Sequence, residues 1–280
     1  MHMRQIIKDL KTWDFYLENG YAILSGVNDE TIETSEKLFS DHFNVNHQGI
    51  FVSNHDSDFE LNNTINNQVQ SLYENWIKDN FVNFKFIISH FISKSNANST
   101  IFDLHQDWSV VNENDYCVIH LWIPFQETTK ENGCMYLLPK SNHFFNNYRS
   151  GSIPIPIVRE FNLLKNKLVT VDLKKGEALL FHPAIFHGSF PNLSNKPRRN
   201  ALIALTDEEA TLKYFHKNED NSLDEYYITG DDLLNDLPLL AKGLISENVG
   251  KRTKKLGEMH TIDNAAINEE MLLKFTNNER

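Results

Sequence analysis

Residues 102–108 read Phe-Asp-Leu-His-Gln-Asp-Trp, and within them His105 and Asp107 form a His-x-Asp pair. On an extended backbone, residues two apart share a face, with Cα atoms roughly 6.5 Å apart. An imidazole and a short carboxylate at that spacing can converge on one ion. A further histidine from a distant strand would complete a 2-His-1-carboxylate facial triad, which leaves coordination positions open and suits non-haem Fe(II) oxygen chemistry. With 12 histidines in 280 residues, about one chance His-x-Asp pair is expected at ordinary Asp frequency. Alone, the pair carries little weight.

The weight comes from a second segment. It runs Gly176-Glu177-Ala178-Leu179-Leu180-Phe181-His182-Pro183-Ala184-Ile185-Phe186-His187-Gly188-Ser189, followed by Asn192 and Pro197-Arg198-Arg199. The chain turns at Gly176, runs apolar, presents a histidine, turns again and returns with a strand headed by arginines. An arginine at the start of that strand is expected beside His187 across a hairpin, offering its planar fork to a carboxylate. Two choices stay open at this level. His182 and His187 are five residues apart and face opposite ways on an unbroken strand, although Pro183 can break that parity. Arg198 and Arg199 are adjacent, so only one points inward, and the similar apolarity of Ala201-Ile203 and Leu202-Ala204 does not choose between them.

Four residues are candidates for the pocket around such a site. His120 and Trp122 share one face of the segment Tyr116–Phe125, whose other face (Cys117, Ile119, Leu121, Ile123) reads as core. His120 serves equally well as a satisfied structural histidine. Trp108 follows the His-x-Asp pair as pocket wall or simple packing. Gln106 lies between the two ligand candidates and points away from them if the backbone is extended, where a hydrogen bond to a neighbouring strand competes with a role in the site.

The elements that would position these residues change character along the chain. The first eighty residues read as mainly helical with one strand at Tyr21–Leu24. Asn28 or Asp29 is placed to cap a helix from Glu30 to Phe43, and Val69, Leu72, Tyr73 and Trp76 fall at helical spacing between Asn66 and Asn80. From Phe84 the period changes: Phe84–Ile92, Tyr116–Phe125, Cys134–Leu138, Leu168–Leu173, Ala178–Phe181 and Asn200–Thr206 read as strands punctuated by Gly, Pro, Asn and Asp. A β-sandwich or barrel faced by helices is expected. The interval Lys140–Lys167, with Pro154 and Pro156 inside it, is long enough to be a functional loop. No repeat or linker divides the chain, so residues 1–280 read as a single domain.

Composition narrows the classes. With 27 basic and 38 acidic residues and a net charge of −11, a nucleic-acid partner is disfavoured, and the basic run Lys251-Arg252 with Lys254-Lys255 reads as a solvated loop. Two cysteines, Cys117 and Cys134, are too few for a disulfide scaffold and fit a reducing compartment. Residues 1–16 lack a signal-peptide core, and no apolar run has the length of a membrane span. A cytoplasmic protein with no membrane partner is expected.

Several blocks occur in the order found in one known family. These are Glu18-Asn19-Gly20-Tyr21-Ala22-Ile23-Leu24, His105-Gln106-Asp107, Trp122-Ile123-Pro124, Glu131-Asn132-Gly133-Cys134-Met135, Leu138-Pro139-Lys140-Ser141 with His143, and His187-Gly188-Ser189 through Arg198. The chain resembles the phytanoyl-CoA dioxygenase family of Fe(II)/2-oxoglutarate-dependent oxygenases over residues 12–206. That resemblance implies a mainly β fold with flanking helices (α+β), a double-stranded β-helix or cupin-like jelly roll. Beyond Asp207 the resemblance ends, and residues 207–280 read from the sequence alone as a C-terminal helical extension of short helices and loops. The resemblance implies His105, Asp107 and His187 as iron ligands and chooses Arg198, assisted by Ser189, for 2-oxoglutarate. Arg199 is then a solvent- or helix-facing charge. The chain departs from the family at Pro139-Lys140-Ser141-Asn142-His143, where Pro-Gly-Ser-His is usual.

The implied reaction uses Fe(II), 2-oxoglutarate and O2 to hydroxylate an unactivated carbon of a small metabolite, with release of succinate and CO2. Desaturation and oxidative cyclisation are alternatives on the same site. Halogenation is disfavoured because Asp107 is intact. Two other classes compete: a cupin-like metal-binding protein without turnover, against which a co-substrate arginine argues, and an isomerase or other metal enzyme on the same barrel, which coupled succinate formation would exclude. Lys140, His143, Arg149 and Arg159 in the long loop suggest an anionic substrate, against which stands the reading of an ordinary polar loop.

Overall fold

Asp9 caps α1 (Leu10–Asn19) by accepting from the Thr12 amide, and Gly20 closes it at φ 78°. That left-handed turn, cheap only for glycine, feeds the chain directly into β1 (Tyr21–Leu24). Helix α2 (Asp29–His42) begins as the sequence predicts, with Asn28 as its cap. β2 (Ile50–Val52) and a 3-10 turn at Ser53–His55 follow. Helix α3 (Phe59–Asn80) starts well before Asn66, because Asp58 caps the Leu61 amide. The chain continues through β3 (Phe84–Lys94), β4 (Phe102–His105), β5 (Val118–Pro124), β6 (Met135–Leu138) and the one-turn α4 (Ser141–Phe144). Then come β7 (Val169–Val171), β8 (Ala178–Phe181), β9 (Phe186–Ser189) and β10 (Arg198–Asp207). β11 (Lys213–Lys217), β12 (Leu223–Tyr227) and α5 (Gly230–Leu240) complete it. This computed structural model describes residues 3–43, 48–55, 58–96, 101–145, 147–153, 164, 166–247, 249 and 274–275. Pro154, Pro156, Arg159 and the basic run from Lys251 to Lys255 lie outside the described residues.

Two antiparallel sheets form the centre: a six-stranded one ordered β1-β8-β5-β10-β3-β2 and a four-stranded one ordered β4-β9-β6-β7. This is the expected jelly roll with flanking helices. The period-2 alternation of each strand assigns its faces. On β5 and β10, Ile119, Leu121, Ile123, Ala201, Ile203 and Leu205 pack with Trp13, Tyr16, Phe39 and Tyr73 of the helices in one buried cluster. Their neighbours Trp122 and Leu202 turn the other way and meet Met135, Leu137, Phe181 and Ile185 in the inter-sheet cluster. Each such fully buried aliphatic side chain contributes about 1.5–3 kcal/mol. The helix layer is also pinned by a hydrogen bond, the Tyr16 hydroxyl donating to the Val118 carbonyl at 2.7 Å.

Two expectations are corrected. The segment after Asp207 is not simply helical, since β11 and β12 form a hairpin before α5. Its strands carry Lys213 and Glu225, joined at 2.6 Å, and these charges hide the apolar alternation. β10 does not return beside β9; it pairs with β3 and β5 in the six-stranded sheet, while β9 pairs with β4 and β6 in the other. At the departure from the family pattern, Lys140 takes φ 65°, a left-handed conformation that glycine adopts without strain. Cys117 and Cys134 are buried free thiols. No helix among the described residues is long and apolar enough to cross a membrane.

Candidate metal and co-substrate site

His105 ends β4 and stands opposite His187 of β9 in register, with ring centroids 4.3 Å apart. Both rings are turned by the same device. Nδ1 of His105 lies 2.9 Å from the Asp103 carbonyl, and Nδ1 of His187 lies 3.0 Å from the Ile185 carbonyl. A carbonyl only accepts, so each Nδ1 carries the hydrogen and each Nε2 presents its lone pair. Orientation of a ligand ring by its other nitrogen is what metal-binding histidines require. Asp107, just past the end of β4, is fixed by its amide donating to the Pro183 carbonyl at 2.8 Å. Its carboxylate oxygens sit 3.8 Å from Nε2 of His105 and 3.6 Å from Nε2 of His187. One donor atom from each of the three residues falls within 4.8 Å of the others. Donors of a six-coordinate ion with bonds near 2.1 Å lie about 3 Å apart, so each of the two carboxylate–imidazole distances is within an ångström of what a shared metal requires.

The spacing of β4 and β9 depends on Gly188. A Cβ there would lie 2.3 Å from the Phe102 carbonyl oxygen and 2.7 Å from the Tyr136 hydroxyl. Tyr136 itself donates to that carbonyl at 2.8 Å. A side chain at 188 has no room unless the strand bearing His105 moves away.

The remaining candidates fall on both sides of the line. Nδ1 of His120 is 2.9 Å from the Asp107 carboxylate, which gives this ring a role beyond lining a pocket. Trp122 lies under the Arg198 guanidinium, 4.9 Å from its ring centre. Trp108 lines the cavity and packs edge-on against Tyr214. Gln106 borders the cavity, yet its amide donates to the carbonyls of Phe145 and Ala184, the structural role. His182 is buried away from the cluster, its Nδ1 accepting from the Ala184 amide at 3.0 Å.

Arg198 enters from the opposite sheet. It is 3 % exposed; Nη1 donates to the Gly133 carbonyl at 2.7 Å, and Nε finds no partner among the described residues. No carboxylate among the described residues pairs with it. Burial pulls it down to about 10, so it stays charged at neutral pH. A buried guanidinium with no counter-ion is costly and is a ready seat for a ligand carboxylate. Arg199 turns outward onto the Phe39 ring at 4.6 Å and the Ser40 hydroxyl. A second cation escaped the sequence reading: Lys94, opposite Arg198 in register, donates to the Ser189 hydroxyl at 2.8 Å and to the Phe190 carbonyl at 2.6 Å. Burial, then Arg198, pulls its ammonium down to about 7. The only sequence signal was a lysine ending a strand rich in Phe and Ile.

The loop cations expected over the site are engaged elsewhere. Lys140 pairs with Glu18 at 3.1 Å, and His143 meets the Leu17 carbonyl at 2.9 Å. Arg149 is fully buried, paired with Glu113 at 2.6 Å, and its Nε donates to the Asp107 carbonyl at 2.6 Å. It therefore holds the main chain of the candidate ligand rather than facing the cavity.

Burial would raise the Asp107 carboxyl, but His187, His120 and His105 hold it well below the usual carboxylate range. Burial pushes His187 down to about 4, with His105 adding to the effect. Both groups are thus in their metal-binding protonation states at neutral pH. Burial likewise pushes His90 to about 3 and His182 to about 4. In the unfolded chain these three rings titrate near 6.5. The folded state refuses protons that the unfolded state accepts, so stability present above pH 6.5 is lost as pH falls toward 4. The slope is up to about 1.4 kcal/mol per pH unit for each ring. The urea midpoint of the metal-free protein is expected to be lower at pH 5 than at pH 7; equal midpoints would mean the rings are not shielded.

Jelly rolls that carry such a cluster between their sheets are the frame on which iron(II)- and 2-oxoglutarate-dependent oxygenases are built. Within that class the chain belongs to the phytanoyl-CoA dioxygenase family, whose model matches residues 16–200. It is 28% identical over 124 residues to the phytanoyl-CoA dioxygenase domain-containing protein 1 homolog of Dictyostelium discoideum, covering 41% of this chain and 44% of that one. It is 31% identical over 108 residues to phytanoyl-CoA dioxygenase of Arabidopsis thaliana, covering 38% of each. The matches thus span less than half the length of these curated relatives. Among solved structures, the epimerase SnoN in complex with Fe3+, alpha ketoglutarate and nogalamycin RO aligns with a TM-score of 0.53 at 17% identity, covering 91% of this chain and 96% of that one. EvdO2 from Micromonospora carbonacea var. aurantiaca complexed with 2-oxoglutarate aligns with a TM-score of 0.51 at 16% identity, covering 73% and 94%. At these identities the likeness speaks to the fold.

Proposed function

We propose that this chain is a non-haem Fe(II)- and 2-oxoglutarate-dependent dioxygenase that hydroxylates an unactivated carbon of a small molecule. The observation that carries the reading is Arg198, a buried guanidinium without a carboxylate partner among the described residues, in the same cavity as the His105, Asp107 and His187 cluster. A metal-binding protein without turnover has no use for it. His105, Asp107 and His187 hold the iron, and Arg198 with Ser189 takes the far carboxylate of 2-oxoglutarate. Iron with 2-oxoglutarate and O2 supplies the oxidising power that replaces C–H by C–OH, the co-substrate leaving as succinate and CO2.

The protein's own part is positioning and exclusion of water. The Asp103 and Ile185 carbonyls keep both imidazoles in the tautomer that binds metal through Nε2. His120 fixes the Asp107 carboxylate from the side, and Arg149 fixes its main chain. Lys94 holds the Ser189 hydroxyl in place beside the co-substrate seat.

Anaerobic addition of Fe(II) and then 2-oxoglutarate should produce a metal-to-ligand charge-transfer band, and admission of O2 should release succinate, faster with substrate than without. Iron binding with no such band and no succinate would leave a metal-binding protein without turnover and remove the proposal.

A further inference from the structure

The cavity of about 460 Å3 extends well past the metal cluster. Its far walls are Ile50 and Val52 of β2, Ile87 and Ile88 of β3, and Leu233 and Leu237 of α5. Helix α5 lies beyond the residues that match the family model, so this wall belongs to the chain's own C-terminal segment. Its placement is secured by a Thr229–Asp232 capping box and by Asn63 of α3 donating to Asn235 at 3.3 Å.

Charge is scarce in this space. Among the described residues, Arg198 is the one Lys or Arg in the lining and Asp107 the one acid, and both are committed to the co-substrate and metal seats. The polar groups at the far end are Asn54, His55 and His90. Asn54 is 5 % and His90 9 % exposed. Asn54 Oδ1 and His90 Nδ1 have no hydrogen-bond partner among the described residues. Burial keeps the His90 ring neutral at pH 7. An amide oxygen only accepts, and a neutral imidazole offers one donor and one acceptor. Both side chains end in a broad last torsion, so turning the amide or the ring presents these atoms to the cavity the residues line. Buried polar atoms left without partners cost free energy, which a ligand carrying an O–H or N–H would recover.

We propose that the far end of the cavity seats a neutral, largely apolar substrate that bears a hydrogen-bond donor, enclosed by Leu233 and Leu237 and read by Asn54 and His90. Anionic molecules are excluded because no free cation among the described residues meets them there and the apolar walls would strip their hydration. The inference rests on the dioxygenase reading for its term substrate, but the seat exists whether or not turnover occurs.

The test is calorimetric titration of the full-length protein, with and without Fe(II) and 2-oxoglutarate under nitrogen, using three probes of similar length: decan-1-ol, 1-methoxynonane and decanoate. Decan-1-ol is expected to bind at least tenfold tighter than the other two. Leu237→Trp, which fills the far end, should weaken decan-1-ol at least tenfold and leave 2-oxoglutarate affinity unchanged. Asn54→Leu with His90→Phe should erase the preference for alcohol over ether. Decanoate binding as tightly as decan-1-ol, or an ether that matches the alcohol in the unaltered protein, overturns the proposal, and neither result depends on a variant folding. Decan-1-ol selectivity in a protein that forms no charge-transfer band would keep this inference and remove the dioxygenase reading instead.

Discussion

His187→Ala is expected to abolish Fe(II) binding, and His182→Ala to leave it intact. The two histidines are five residues apart and both are buried, so neither sequence distance nor exposure separates them. Their partners do. His187 has its Nδ1 tied to a carbonyl and its Nε2 directed at Asp107. His182 has Nδ1 occupied by the Ala184 amide, and Pro183 with the following turn carries it out of the cluster. Losing one of three protein ligands removes the donor set for a divalent ion, since the two that remain cannot define three mutually adjacent coordination positions. Anaerobic equilibrium dialysis with Fe(II) on both variants checks this. Retention by His187→Ala together with loss by His182→Ala would overturn the ligand assignment.

Arg198→Ala is expected to weaken 2-oxoglutarate binding by about 2–5 kcal/mol, the cost of leaving a carboxylate without its charged partner in a desolvated site. Arg199→Ala, which removes a charge lying on Phe39 at the outer surface of the sheet, leaves binding within twofold. A structural arginine would give the same ranking if its loss damaged the fold, but the physics separates the cases. The Arg198 guanidinium has no counter-ion among the described residues, so its removal relieves a desolvation penalty instead of stranding a charge. The ligand-free Arg198→Ala protein should therefore melt no lower than the unaltered protein while its 2-oxoglutarate isotherm flattens. A lower melting temperature with unchanged co-substrate affinity would assign Arg198 to the fold alone.

What could be read in advance was local. His105 and Asp107 are two residues apart, and Asn28 sits immediately before the helix it caps, so short-range geometry was enough. The odd face of β5 announced itself as core because four apolar residues alternate without interruption. What escaped depends on contacts between distant segments. The docking of β10 against β3 rather than beside β9 is a choice of strand partner, and β10 has no feature that names its neighbour. Arg149 reads from the sequence as a loop cation open to ligand because its partners, Glu113 and the Asp107 carbonyl, lie far away along the chain. Lys94 has no distinguishing mark because a lysine at a strand end is ordinarily solvated, and only the Ser189 hydroxyl with the carbonyls of Ser189 and Phe190 makes its burial tolerable.

Gly188 sets the gap between the strands that carry His105 and His187 by having nothing where other residues have a Cβ. Most active-site geometry is maintained by attractions, which can be weakened by degrees and restored by compensating changes nearby. A separation maintained by empty space has no such gradation. Phe102 and His105 belong to the same short strand, so any atom added at 188 acts as a wedge with a four-residue lever arm. The position next to a ligand can thus be the least negotiable one in the site without ever touching metal, co-substrate or substrate.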